Sequence, residues 1–273
     1  MEAIDQDLAP DSIEVTLTYL VGDGARRVAG AQRRREVRRG GHWEAHRVDL
    51  HNGRPLADRF ALDREGFRFL RHDTKVADFY DAAEIGRVYY PEIETLVKHE
   101  SGASRVVVFD HVLRTEDARL RKTHGSQEVV RRVHNDYTEW SAPERVRDLM
   151  GEEAEALLRG RFAIIQVWRP IRHSVETWPL AVCDARSPAD GALVDIRLDG
   201  GGIAQTYAID YHPGQRWYWF PRMCRYEVLL FKVYDSLRDG RARWTMHTAF
   251  DDPTAPPHAR PRESIEIRSL VLF

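Results

Sequence analysis

A succession of short β-type segments fills the chain from residue 105 to the C-terminus. Three of them, at residues 105–111, 161–170 and 227–236, are especially rich in Val, Ile, Leu and aromatic side chains. Five others follow the same pattern, at residues 179–184, 193–196, 204–209, 216–221 and 264–273. About eight short strands at such spacings are typical of sandwiches and barrels. The pattern predicts a mainly β fold with flanking helices, a double-stranded β-helix (jelly roll, cupin-like).

Further strands are predicted in the N-terminal third. Residues 13–20 alternate apolar and polar side chains, and residues 43–50 form a second such run that ends at Asn52-Gly53, a hairpin signal. The Arg- and Gly-rich stretch 26–41 is predicted to be an exposed loop. Because residues 105–111 contain the apolar run Val106-Val107-Val108-Phe109, we expect them to form an inner strand of a sheet.

Two helices and one domain complete the predicted organisation. A helix is expected at residues 92–100, ended by Gly102, and another begins at Ser141, whose side chain and Glu144 have capping-box spacing. Residues 1–11 carry acidic groups and little apolar periodicity, so we expect a flexible leader. Residues 12–273 are expected to form one jelly-roll domain with an N-terminal elaboration of strands and helices.

Composition excludes several classes of function. Hydrophobic residues make up 42% of the 273 residues, enough for a large core, and 41 Lys and Arg balance 43 Asp and Glu. That balance gives no general attraction to nucleic acid or to an anionic membrane, and no apolar run approaches the length of a membrane span. Two cysteines without a framework, and no signal peptide, predict a cytoplasmic protein. The oligomeric state stays open, a homodimer included.

The strongest chemical signal is the His134-Asn135-Asp136 sequence. Side chains two residues apart on an extended strand point to the same side, so an imidazole and a carboxylate would share one face. They make two ligands of a 2-His-1-carboxylate triad, which suits a non-haem Fe(II) centre. His247 is the chosen third ligand, since a strand with an Arg follows it. Because the chain holds 12 His, each of them alone is weak evidence.

Several ordered motifs resemble the AsaB-type hydroxylase/desaturase family, which also contains relatives of a cephamycin methoxylase component and of a fungal meroterpenoid endoperoxidase. The resemblance extends from about residue 10 to the end, and its motifs lie at residues 134–138, 167–171, 179–187, 217–221, 231–236, 247–253 and 262–268. It implies oxidation of a small natural-product intermediate that depends on Fe(II), 2-oxoglutarate and O₂, on a jelly-roll fold. It also implies that His134, Asp136 and His247 are the metal ligands. One departure is Gln166, where Asn is expected.

Arg262 is the favoured partner for the distal carboxylate of 2-oxoglutarate, because a guanidinium binds a carboxylate through two hydrogen bonds. Ser264 shares its face of the last predicted strand and offers a hydroxyl. Arg268 lies on the same face and is the rival anchor. Gln166 is a further cofactor-binding candidate. Four residues are candidates for the substrate pocket, although core packing is the alternative role of the aromatic ones: Tyr90, Tyr137, Trp168 and Arg169.

Two other classes of function use the same residues. A jelly-roll accessory protein could keep the shape without the chemistry, although an intact ligand set argues against it. A zinc hydrolase could use the two His and the Asp with metal-bound water. Within the oxygenase class, hydroxylation, desaturation, epoxidation and peroxide formation all remain alternatives, because the motifs are specific to the family and not to one substrate.

Overall fold

A computed structural model describes residues 9–21, 35–38, 42–197 and 205–273. The expected leader therefore lies mostly outside the described residues, as does most of the Arg- and Gly-rich stretch. In that stretch the loop prediction is wrong for residues 35–38, which form a strand. The described strands are β1 Ser12–Val21, β2 Arg35–Arg38, β3 His42–Asn52, β4 Phe67–Arg71, β5 Arg105–Thr115, β6 Phe162–Pro170, β7 Leu180–Cys183, β8 Leu193–Arg197, β9 Gln205–Ile209, β10 Trp217–Trp219, β11 Glu227–Asp235, β12 His247–Ala249 and β13 Glu263–Leu272.

The strands form two five-stranded sheets and one of three strands. The first has the order β1-β3-β10-β7-β12, the second β4-β11-β6-β13-β5, and the small one β2-β8-β9. Within both large sheets the neighbours are antiparallel, apart from the parallel pair β3–β10. The two large sheets pack against each other as the halves of a jelly roll, which confirms the predicted fold class.

Strand β6 shows how the sequence builds the layers. Ile164 and Trp168 point into the core between the large sheets, where they meet Leu180 and Val182 of β7. The intervening residue Ile165 lies in a second apolar cluster on the outer face of its sheet. Every residue of β6 is buried, so its sequence is mostly apolar and does not alternate with exposed polar residues.

One helix and the π-helical turn before it cover the outer face of the second sheet. Helix α2, Tyr90–Ser101, contributes buried Ile93, Leu96 and Val97 to the outer cluster. It ends where predicted, because Gly102 adopts the left-handed conformation at φ 72°. The other helices are α1 Ala82–Glu84, which continues as a π-helical turn Ile85–Tyr89, α3 Ala118–His124, α4 Ser141–Met150 and α5 Ala154–Leu157, with 3₁₀ turns at Arg54–Arg59 and Gly151–Glu153. No helix in the described ranges is long and apolar enough to cross a membrane.

Strand β5 is an edge strand, so the prediction of an inner strand is wrong. It is bound to β13 at the end of the second sheet. Its apolar content is used differently: Val108 faces the outer cluster with α2, and Val107 and Phe109 pack against the core between the sheets. Apolar contacts on both faces produce the same sequence pattern as a central position.

The Asn52-Gly53 hairpin is also wrong, because β3 leads into the 3₁₀ turn Arg54–Arg59. The glycine serves close packing instead. A Cβ at Gly53 would lie 2.6 Å from the ring of Phe220, closer than two carbon atoms pack.

Helix α4 begins at Ser141, where a helix was predicted, but the reciprocal side-chain pair lies three residues before the predicted capping box. Thr138 Oγ1 accepts hydrogen bonds from the backbone N–H groups of Trp140 and Ser141, at 3.1 and 3.0 Å. In return Ser141 Oγ accepts from the N–H of Thr138 at 2.9 Å. In this reciprocal pair Thr138 takes the role predicted for Ser141, and Ser141 takes the role predicted for Glu144. Thr138 lies two residues after Asp136 in the sequence.

Candidate metal centre

His134 and His247 are brought together by their own backbones. The N–H of His247 donates to the carbonyl oxygen of His134 at 2.9 Å, and the N–H of His134 donates back at 3.2 Å. His134 lies on an isolated bridge alongside β12, and Asn135 forms another with Tyr207. The extended strand predicted for the His-x-Asp motif is thus reduced to two single bridges, which still direct His134 and Asp136 to one side.

Hydrogen bonds fix both imidazole rings in one tautomer. His134 Nδ1 donates to the carbonyl oxygen of Arg132 at 2.7 Å, and His247 Nδ1 to that of Thr245 at 3.0 Å. A carbonyl accepts only from a protonated nitrogen, so each Nε2 carries a free lone pair. His247 Nε2 is buried and has no partner in the described part of the chain. This arrangement of the second nitrogen is typical of histidines that bind metals.

Asp136 completes a cluster of three ligand atoms. One ligand atom from each of His134, Asp136 and His247 lies within 4.8 Å of the others. Asp136 Oδ1 is 3.4 Å from His134 Nε2. Its other oxygen, Oδ2, accepts from Gln166 Nε2 at 2.5 Å and from Arg268 Nη2 at 3.3 Å. The geometry offers two nitrogens and one carboxylate oxygen to a single cation, which is the donor set of a facial triad.

The electrostatics keep these ligands in their metal-binding forms. Burial alone would raise the pKa of Asp136, but the neighbouring His134 and the charge of Arg268 hold the pKa well below its usual range. Burial and the neighbouring His134 lower the pKa of His247 to about 3. The carboxylate is therefore charged and the imidazole of His247 neutral at physiological pH.

Arg262 places a buried guanidinium group beside the two histidines. It lines the same pocket as His134, His247 and Trp168, and its guanidinium sits 5.4 Å from the centre of the Trp168 ring. It is 3% exposed and donates to the carbonyl oxygen of Trp178 at 2.5 Å, while its Nε has no partner in the described residues. Burial and the charge of Arg114 lower its pKa to about 9. A cation buried in this way favours an anionic ligand.

Ser264 follows the prediction as well. It lies two residues beyond Arg262, at the second position of β13, and its hydroxyl is buried without a partner in the described residues. Ile265 and Ile267 point to the outer cluster on the opposite face. The two polar side chains thus point to the interior, as their spacing predicts.

Sequence reasoning missed two charged residues of this pocket, Arg114 and Glu266. Arg114 of β5 lies opposite Ser264 in the antiparallel register with β13. Glu266 is two residues beyond Ser264 on the same face and is 6% exposed. The alternation of the last strand could have found Glu266, whereas Arg114 needs the pairing of strands. With Arg262, the pocket holds two guanidinium groups and one carboxylate.

The other predicted residues lie elsewhere. Gln166 and Arg268 contact Asp136 and not the pocket around Arg262. Arg169 lies on the face of β6 opposite Trp168, where it binds the carbonyl oxygen of His72 and lies 5.2 Å from the ring of Tyr89. The structure does not bring this residue to the site.

The two tyrosines also have other surroundings. The hydroxyl of Tyr90 pairs with His111 Nδ1 at 2.7 Å, on the side covered by α2. Tyr137 is 7% exposed and belongs to the core between the sheets, next to the ligand Asp136. Of the four substrate-pocket candidates, Trp168 alone lines the pocket with Arg262 and the two histidines.

A jelly roll that gathers two imidazoles and a carboxylate defines a class of non-haem metal oxidoreductases. Comparison with known proteins agrees with this class. The profile of a family described as "Oxidoreductase/YMDC permease-like domain" matches residues 17–272. The Fe(II)/2-oxoglutarate-dependent dioxygenase nvfI of Aspergillus novofumigatus is 35% identical over 240 residues, 84% of each chain. The hydroxylase/desaturase CTB9 of Cercospora beticola is 34% identical over 255 residues, 85% of this chain and 78% of that protein.

Solved structures extend the similarity to the fold. The iron and alpha-ketoglutarate-dependent endoperoxidase NvfI superposes with a TM-score of 0.85 at 29% identity, over 97% of this chain and 99% of that one. A further sequence relative, the hydroxylase/desaturase asaB of Aspergillus flavus, is 37% identical over 187 residues, 62% of this chain and 81% of that protein. The chain belongs to the family of Fe(II)/2-oxoglutarate-dependent dioxygenases and hydroxylase/desaturases, as its motifs predicted.

Proposed function

We propose that this protein is an Fe(II)- and 2-oxoglutarate-dependent oxygenase that hydroxylates or desaturates a small natural-product intermediate. The observation that carries the proposal is the donor set of His134, Asp136 and His247, whose ligand atoms lie within 4.8 Å of one another. The relatives named for the same cosubstrate and the same reactions support it.

The three ligands suit Fe(II) because they bind one side of the cation. Two neutral imidazoles and one carboxylate leave positions open for other ligands. Bound there, Fe(II) supplies the activation of O₂ that is coupled to decarboxylation of 2-oxoglutarate to succinate and carbon dioxide. The backbone pair between His134 and His247 sets the spacing of the two imidazoles before any metal binds.

Arg262 is the proposed anchor for the distal carboxylate of 2-oxoglutarate. It lines the pocket next to both histidines, and no carboxylate of the described residues forms a salt bridge with it, whereas Arg268 is bound to Asp110, Asp136 and Glu266. The hydroxyl of Ser264 is a second donor to that carboxylate. The cavity measures about 20 Å³, so the keto acid needs movement of side chains that line it.

Apolar groups around the ligands keep water away from the metal. The ring of Phe231 lies 4.7 Å from that of His247, and Trp168 covers Arg262. Both aromatic side chains are buried. Exclusion of water strengthens every charge interaction in the site and protects reactive intermediates from side reactions.

The free cysteines and the charge balance support a compartment and a class of partner for the enzyme. Cys183 and Cys224 are both free, which supports a reducing compartment, so we place the enzyme in the cytoplasm. The near balance of charges supports a small molecule and not nucleic acid as its partner. A homodimer stays one of the alternatives for the oligomeric state.

Succinate formation tests the proposed function. The apoprotein is loaded with Fe(II) or Zn(II) under nitrogen, mixed with 2-oxoglutarate, and exposed to oxygen, with and without candidate natural-product intermediates. We expect succinate only with Fe(II), and more of it when an accepted intermediate is present. Hydrolysis of a candidate by the Zn(II) form without succinate from the Fe(II) form would establish the zinc hydrolase, and binding of neither metal would establish an accessory protein.

A further inference from the structure

The two oxygens of Asp136 have different surroundings. Gln166 Nε2 and Arg268 Nη2 both donate to Oδ2, at 2.5 and 3.3 Å. Oδ1 receives neither donor and lies 3.4 Å from His134 Nε2. One oxygen is therefore held by the wall of the jelly roll and the other faces the remaining ligands.

The strand register places both donors. Gln166 of β6 and Arg268 of β13 lie directly opposite each other in the antiparallel pair. Directly opposed side chains on one face of a sheet are close neighbours, so both reach the same point above it. Both donors lie on strands: β6 is buried along its whole length, and β13 is buried at eight of its ten positions, Arg268 being one of the two that are partly exposed.

Arg268 is itself fixed from a second side. Its Nη1 donates to Asp110 Oδ2 at 2.9 Å, and its Nη2 also contacts Glu266 Oε1 at 3.3 Å. These contacts hold the guanidinium group between Asp110 of β5 and Asp136. Gln166 is fully buried, so its amide cannot turn to water for an alternative partner.

We infer that Gln166 and Arg268 are positioning residues that make Asp136 a one-oxygen ligand of the metal, through Oδ1. The inference rests on the proposed function, since it needs a metal at the three ligands. A carboxylate can bind a cation through one oxygen or through both. Capture of Oδ2 prevents the second mode, which would occupy a position that the keto acid or oxygen requires.

This role differs from the one expected of these residues as contacts to 2-oxoglutarate. It also explains why a glutamine can stand where the family resemblance predicts asparagine, since the function needs an amide donor that reaches one oxygen. A purely structural role would instead predict a loss of stability with an unchanged metal site. A measurement of metal binding distinguishes the two roles, whereas a measurement of stability does not.

The test replaces the donor by an apolar side chain of similar length, Gln166→Met. Co(II) alone is the probe, because the intensity of its visible absorption falls as its coordination number rises. In the variant Asp136 Oδ2 keeps only the longer contact from Arg268, at 3.3 Å. Asp136 then binds more readily through both oxygens, so we expect a weaker visible absorption than in the wild type. Loss of an outer hydrogen bond also weakens metal binding, typically by about 10- to 100-fold.

A matched control is Gln215→Met. Gln215 is also buried, and its Nε2 donates to the carbonyl oxygen of Asp210 at 2.8 Å. This variant should lose stability similarly while its Co(II) spectrum and affinity stay those of the wild type. Arg268→Met should shift the spectrum as Gln166→Met does, and Arg268→Lys, which keeps a cation near Oδ2, should recover part of the wild-type spectrum. The effects of Gln166→Met and Arg268→Met should be non-additive, because both donors act on one oxygen.

His247→Ala separates this inference from the proposed function. If that variant loses Co(II) while Gln166→Met and Arg268→Met keep the wild-type spectrum and affinity, the positioning role is wrong and the metal site stands. If His247→Ala binds Co(II) as the wild type does, both the metal site and the positioning role are wrong. Spectral change confined to Gln166→Met and the two Arg268 variants supports the inference.

Discussion

His134 and His247 pair through their backbones, the N–H of each donating to the carbonyl oxygen of the other. Their rings consequently lie with centroids 4.3 Å apart, and the carbonyl groups of Arg132 and Thr245 hold both rings in the same tautomer. The site is therefore assembled by strand pairing, so the distance between its two imidazoles is a property of the fold. Preorganised ligands lower the free-energy cost of binding.

Arg262→Gln is expected to weaken binding of 2-oxoglutarate. Truncating one partner of a desolvated charge pair typically costs about 2–5 kcal/mol. At about 1.4 kcal/mol per decade this is roughly 30- to 3000-fold in affinity. The measurement is the dependence of succinate formation on the 2-oxoglutarate concentration at saturating Fe(II). A 2-oxo acid without the distal carboxylate should distinguish little between variant and wild type.

The control for this prediction is Arg268→Gln. Arg268 is engaged by three carboxylates, so its loss should change metal binding and leave the requirement for 2-oxoglutarate near that of the wild type once metal saturates. If Arg268→Gln raises the requirement steeply and Arg262→Gln does not, the anchor lies six residues further along β13 than proposed.

Asp184→Asn is expected to reduce stability in a pH-dependent way. Burial would raise the pKa of Asp184, but hydrogen bonds from Arg186 and Arg216 hold it below its usual range. The charged form therefore stabilises the fold above the pKa of the unfolded chain, and this contribution is lost as the pH falls through the lower pKa of the folded state. Because both guanidinium groups are about half exposed, we expect about 1–2 kcal/mol.

Urea unfolding of the wild type and Asp184→Asn between pH 2 and 7 measures this contribution. The difference in unfolding free energy should be full above a pH of about 4 and should shrink below it. The exposed Asp190→Asn serves as the control and should show no such dependence. A difference that grows on acidification would contradict the assignment.

Gly53→Ala should destabilise the first sheet although φ at Gly53 is an ordinary −77°. The added Cβ would lie 2.6 Å from the Phe220 ring, which is stacked on Phe69. Overpacking of this kind costs about 1–3 kcal/mol. In contrast, Gly86→Ala adds a Cβ with nothing within 4 Å and should keep or raise the melting temperature. Equal melting temperatures for the two variants would show that the ring moves aside freely.

Removal of residues 1–11 is expected to cost little. The carbonyl oxygen of Asp11 accepts from the N–H of Asn52 at 2.8 Å, and one such hydrogen bond contributes about 0.5–1.5 kcal/mol. A chain that starts at Ser12 should therefore melt slightly below the full chain, and one that starts at Ala9 should melt with it. A large drop for the Ala9 chain would mean that residues 1–8 pack against the rest of the protein.

The sequence predicted the parts of the structure that local pattern determines. Alternation placed β1 and β13, the αL glycine Gly102 placed the end of α2, and the motifs placed His134, Asp136 and His247. Features that depend on pairing were not accessible, because the same apolar run serves a central strand such as β6 and an edge strand such as β5. Arg114 is a member of the Arg262 pocket only through the register between β5 and β13.

In the candidate site, too, local pattern predicts some features and the pairing of strands decides the others. Spacing alone puts Arg262, Ser264 and Arg268 on one face, and it gives no means to decide which guanidinium is already bound. Three carboxylates from β13, β5 and the His-x-Asp motif occupy Arg268, and none of the described carboxylates forms a salt bridge with Arg262. For Trp168 and Arg169, neighbouring positions on β6 lead to opposite faces, so only the first lines the pocket.

Metal binding by single variants of the three ligands tests the central claim most directly. His134→Ala, Asp136→Ala and His247→Ala are titrated with Fe(II) under nitrogen beside the wild type, and their melting temperatures establish that each remains folded. We predict one Fe(II) per wild-type chain and loss of stoichiometric binding in all three variants. A folded variant that still binds one Fe(II) and forms succinate at the wild-type rate would contradict the assignment.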